Sequence, residues 1–152
     1  MARTVEVTAT YKGNADRIFA SALRFSEMAE AMKGLASYAG LPASDTAAEG
    51  DTIVVDVTIL GLFTQKGHRI HIERIDPQGR IIQSRESGNG IRRWDHTLSV
   101  QPLGDSVLWT DTIVVDAGLR TALMARFAAL MYKRRHRVRK ALTVSSRVLP
   151  AA

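Results

Sequence analysis

The 152 residues include four histidines and no cysteine, so proton transfer near neutral pH falls to imidazoles and carboxylates. A thiol nucleophile, a disulfide framework and a thiolate metal site are excluded together. Spacing singles out one pair. Along Trp94-Asp95-His96-Thr97-Leu98-Ser99-Val100 the even positions are apolar except for His96, and the odd ones are polar. From Trp109 the odd positions Trp109, Asp111, Ile113 and Val115 form the matching set, with Asp111 as its polar member. A hairpin centred on Gly104 pairs residues whose numbers sum to about 207 to 209, with side chains alternating between faces. An odd sum puts His96 opposite or diagonal to Asp111, on the face that holds both tryptophans. A carboxylate beside an imidazole on an apolar face orients the ring and raises its pKa, which suits acid–base catalysis or the grip of a ligand hydroxyl. The same pair also makes sense as a buried, self-satisfied contact that fixes strand register.

Other candidates are weaker. His68 shares parity with Ile70 and Ile72 and is expected to face inward, as a satisfied or mouth-lining residue. A zinc site from His68, His96 and Asp111 matches no local metal motif, so neither metal nor cofactor is expected. Arg85 and Glu86 have opposite parity, and a one-residue ambiguity at Gly88 leaves open which faces in.

The elements that must position these groups follow from periodicity. Residues 4–11 alternate as a strand, and Asn14 is placed to cap a helix from Ala15. A second short helix is predicted over about 26–33. Residues 34–50 are hard to read, with a short strand somewhere in 35–41 and a loop over 42–49. Strands follow at 53–59, 63–75, 81–87, 91–100 and 107–116, separated by turn signals such as Asp76-Pro77-Gln78-Gly79 and Gly88-Asn89-Gly90. A long helix is predicted from Leu119 to about Val144. The expected fold is α+β: a curved antiparallel sheet of six to seven strands wrapped around the C-terminal helix, with two short helices after the first strand. One domain is expected over 1–147, with a short tail at 148–152.

On a helical wheel centred on Phe127, the residues Leu123, Met124, Leu130, Met131, Val138, Ala141 and Leu142 gather as the sheet-facing stripe. His136 then points directly away, and the run Lys133 to Lys140 is mostly a solvated face. Arg134 falls near the centre of the stripe, where it must either snorkel to water or meet an inward acid or an anionic ligand group.

Charge is unevenly placed. The net charge is +6, yet residues 119–152 hold nine of the 21 Lys/Arg and none of the 15 Asp/Glu. No aromatic residues interleave the basic run, so no specific nucleic-acid partner is expected, only weak, salt-sensitive contact with an anionic surface. No apolar run approaches the roughly 20 residues of a membrane span, and the first residues read as a strand rather than a secretory signal. A cytoplasmic protein is the simplest account; oligomeric state is not legible.

The pattern resembles the START-related, birch-pollen-allergen-like helix-grip superfamily (SRPBCC), which includes polyketide cyclases and lipid carriers. The resemblance spans nearly the whole chain. It rests on element order, on Gly50-Asp51-Thr52 before a strand, and on Ile72 with Asp76-Pro77 before the next. It is also similar to a bacterial subgroup with an Arg-Trp-x-His strand, here Arg93-Trp94-Asp95-His96, and a strand-borne Asp, here Asp111. That subgroup continues into a Tyr-x-x-Arg-His-Arg helix, here Tyr132-Lys133-Arg134-Arg135-His136-Arg137. Members often carry a second His where this chain has Leu98. The resemblance implies a cavity between sheet and helix that takes lipids, isoprenoids or polyketides, without fixing one activity.

The expected function is therefore to bind or carry a small apolar molecule. Ile53, Val55, Val57, Ile70, Trp94, Leu98, Trp109, Ile113, Phe127 and Met131 are the expected walls. His96, Asp111, His68 and Arg134 are the expected polar contacts. The rival readings are a cofactor-independent cyclase or dehydratase working through His96 and Asp111, and a docking module led by residues 133–140.

Overall fold

A computed structural model describes the backbone of residues 1–88 and 90–148, and side chains through residue 142 apart from residue 89. Seven strands form one antiparallel sheet: β1 (Arg3–Lys12), β2 (Ala36–Ala39), β3 (Thr52–Ile59), β4 (Phe63–Asp76), β5 (Ile81–Gly88), β6 (Ile91–Leu103) and β7 (Ser106–Asp116). Their order across the sheet is β1-β7-β6-β5-β4-β3-β2. Every consecutive pair from β2 to β7 is thus a neighbour, as short turns require. The first strand closes on the last: Val7 sits opposite Asp111 and Ala9 opposite Trp109.

The sheet is bent by irregularities in three successive pairings, between Val55 and Val57, Ile72 and Arg74, and Glu86 and Gly88. Each bulge increases local twist, so together they curl the middle of the sheet. The β6–β7 hairpin has no such shift. There Leu98 pairs with Asp111 and His96 with Ile113, which makes His96 and Asp111 diagonal neighbours on the concave face.

Two short helices, α1 (Ala15–Ala22) and α2 (Phe25–Met32), connect β1 to the opposite edge strand β2. Asn14 Oδ1 accepts the Arg17 amide at 3.0 Å and starts α1. Asp45, from the loop before β3, accepts the Ser26 amide at 2.7 Å and so does the capping of α2 from a distance. The long helix α3 (Thr121–Val148) follows a 3-10 turn at Gly118–Arg120 and lies in the concave face. Residues 149–152, most of the expected tail, lie outside the described residues.

The face that α3 presents to the sheet is not the expected one. Thr121, Ala125, Ala128, Tyr132, Arg135, His136 and Arg139 are buried, whereas Leu123 is 67% and Leu130 66% exposed. The wheel is rotated because small residues, not large ones, mark the contact. Ala128 packs with Val7, Trp94 and Ile113 without leaving room for a leucine. Among the described residues no helix is long and apolar enough to cross a membrane.

Candidate functional site

Two polar constellations flank α3, and one of them lines the cavity between the helix and the sheet. The other starts from Asp111, whose side chain is almost fully buried. Its Oδ1 accepts His96 Nε2 at 2.7 Å and its Oδ2 accepts His136 Nε2 at 2.8 Å. Tyr11 from β1 donates its hydroxyl to His136 Nδ1 at 2.6 Å, which leaves the His136 Nε2 proton for Asp111. Burial raises the Asp111 carboxyl pKa, but hydrogen bonds from His136 and His96, and the charges of His96 and Arg135, outweigh it. The net shift is well below the usual carboxylate range. Burial pushes the Tyr11 hydroxyl up to about 12, partly offset by the Arg139 guanidinium beside it, so it keeps its proton.

Trp109 and Arg139 cover this network. The Arg139 guanidinium lies 4.1 Å from the centre of the Trp109 ring and forks onto the Glu27 carboxylate of α2. Tyr11, His136 and Trp109 pack ring against ring at 5.7–5.9 Å. The result ties β1, β7, α2 and α3 together at one point. His136, expected to point into solvent, is only 4% exposed and is the central link.

The second constellation lines a cavity of about 110 Å³ between the sheet and α3. One water needs roughly 10–15 Å³ on this measure, so the space is large enough for a small organic molecule. Of the expected wall, Val57, Ile70, Trp94, Phe127 and Met131 border it, as does His68. The other expected wall residues belong to solid core. Ile53 and Val55 pack with Phe25 and Ile72. Leu98 and Trp109 pack with Ala9, Tyr11 and Val107, and Ile113 packs behind Trp94. His96 and Asp111 are not in the cavity wall either; the His96 ring instead packs, tilted, with its centre 4.9 Å from that of Tyr132, which is. Arg134 leaves the stripe altogether, donating to the Lys33 carbonyl at 3.1 and 3.2 Å, where it caps the end of α2.

Apart from His68, the polar part of the cavity wall is one that sequence reading left open or missed. Glu86 faces inward and Arg85 outward, because Glu86 pairs directly with Trp94 before the β5 irregularity. Gln65 Nε2 donates to His68 Nδ1 at 3.1 Å, and His68 Nε2 donates to Glu86 Oε2 at 2.9 Å. Gly88 leaves room for this: a Cβ there would meet the Gln65 amide nitrogen at 2.8 Å. On the helix side stand Tyr132 and Arg135, both buried, and across from them Tyr38 of β2. Burial raises the Tyr38 and Tyr132 hydroxyl pKa values, so both remain neutral donors. The Tyr132–Arg137 motif contains Arg135 and His136, whereas a wheel centred on Phe127 sets His136 opposite the stripe.

A sheet curled by bulges, closed first strand on last, and holding a C-terminal helix over an internal cavity defines the helix-grip fold. Solved structures with this fold match the chain along nearly its whole length. A protein from Chromobacterium violaceum is similar with a TM-score of 0.70 at 15% identity, over 92% of this chain and 96% of that one. Norcoclaurine synthase from Thalictrum flavum, solved as a point mutant with a transition-state analogue, has a TM-score of 0.63 at 13% identity, over 93% and 96%. Ara h 8.0201 has a TM-score of 0.62 at 11% identity, over 92% and 99%. No protein-family model and no curated protein sequence matches.

Proposed function

We propose that this protein binds and carries a small, largely apolar molecule of the lipid, isoprenoid or polyketide kind in the cavity between the sheet and α3. The observation that supports this best is the wall itself. Aliphatic, Met and aromatic side chains enclose the space, and a few fixed polar groups (His68, Glu86, Gln65 and Arg135) interrupt it. That is the composition of small-molecule sites generally. The solved norcoclaurine synthase complex supports it at the level of the fold, since a helix-grip protein there accommodates a small organic molecule.

Acid–base catalysis through His96 and Asp111 has less support. Both Asp111 oxygens are engaged by imidazoles, His96 Nε2 is one of those donors, and neither residue borders the cavity. The network has the character of a buried clamp. The proposal is tested by native mass spectrometry of the freshly purified protein against its Ile70→Trp variant, which fills the space. A small-molecule adduct on the wild type that the variant lacks is the expected result. A bare mass for both, with no uptake from a panel of lipids, isoprenoids and aromatic polyketides, would contradict it.

A further inference from the structure

Three buried or half-buried acids that face α3 each have a basic partner. Asp111 is held by His96 and His136, Glu27 by Arg139, and Glu86 by His68. Arg135 is the base left over. It is only 9% exposed and borders the cavity, and its guanidinium lies 4.9 Å from the centre of the Tyr132 ring. Its Nε makes no hydrogen bond, and among the described residues no carboxylate lies within ion-pair distance of it. Burial works against its charge, yet the negative field around it, to which the Asp111 and Glu27 carboxylates contribute, keeps it protonated.

A buried guanidinium without an anion is costly, and an apolar residue of similar volume would be the stable choice at this position. We infer that Arg135 is the anchor for the ligand's own anionic group, and that the ligand is a small carboxylic acid whose apolar body fills the rest of the cavity. This rests on the carrier reading above. One guanidinium matches one carboxylate in a bidentate fork. Glu86, on the sheet wall of the same cavity, disfavours a dianion such as a phosphate ester.

The test is calorimetric titration with two matched pairs, 2-naphthoate against 2-naphthylmethanol and octanoate against octanol. The acid of at least one pair is expected to bind the wild type about tenfold or more tighter than its alcohol. Arg135→Met should abolish that preference, and Arg135→Lys should restore part of it. Arg135→Met should also unfold at a higher denaturant concentration, which a merely structural arginine would not allow. Equal binding of acid and alcohol to the wild type, or a preference that survives Arg135→Met, would overturn the inference and leave the carrier reading standing. Failure of all four compounds to bind the wild type would count against the carrier reading itself, and this inference with it.

Discussion

Asp111 is a carboxylate with both oxygens engaged: two imidazoles reach it from β6 and α3, and Tyr11 backs one of them. Removing it strands two buried donors at once. Asp111→Ala is expected to lower unfolding free energy by about 3–5 kcal/mol, read from urea midpoints. The pH dependence follows from the direction of its shift. Its pKa is lower folded than unfolded, so its stabilisation is fully present above the unfolded carboxylate value and is lost as pH falls below it. Wild-type midpoints should therefore fall more steeply than those of Asp111→Ala between about pH 5 and pH 3; parallel curves would contradict the assignment. Half of this network was legible in the sequence, because His96 and Asp111 lie on adjacent strands joined by a short turn, where parity decides the face. The other half was not. Tyr11 and His136 are 125 residues apart, and no local pattern relates a first strand to a last helix.

At the level of the element, α3 shows why a wheel built on large hydrophobic residues misassigns a face. Its inward stripe runs Thr121, Ala125, Ala128, Tyr132, Arg135 and Arg139, at alternating steps of four and three. The spacing is regular, but the residue types are small or polar, so apolar periodicity does not report it. The helix is held by close backbone approach at the alanines and by ion pairs and ring contacts farther along. Two substitutions separate the faces. Leu130→Ala is expected to change stability by less than about 0.5 kcal/mol, as on an exposed surface. Ala128→Leu should cost about 1–3 kcal/mol by overpacking against Val7 and Ile113. Denaturant unfolding of both measures this, and the reverse ranking would restore the Phe127-centred face. The β3–β7 meander was readable because turn residues mark its corners, and the second helix because Ser26 starts it; the cap on α2 was not, since it comes from Asp45 in the segment hardest to read.

For the whole molecule, the cavity is a consequence of curvature. Three successive bulges bend β3, β4 and β5 away from α3, while the regular β6–β7–β1 side stays packed on it. This explains why the expected wall divides as it does. Val57, Ile70, Trp94, Phe127 and Met131 border the space, whereas Leu98, Trp109 and Ile113 are solid core. Sequence parity identified the concave face but not the line on it where packing stops, because alternation gives direction and not distance. On the proposed function, small, largely apolar molecules enter this space. The most direct measurement is a side-chain methyl NMR titration with 2-naphthoate and 2-naphthylmethanol. The methyl signals of Val57, Ile70, Met124 and Met131 should shift on addition of at least one of the two, while those of Val100, Val107, Leu123 and Leu130 stay in place. Saturating ligand with no shift among the first four, or shifts confined to the exposed leucines of α3, would contradict it.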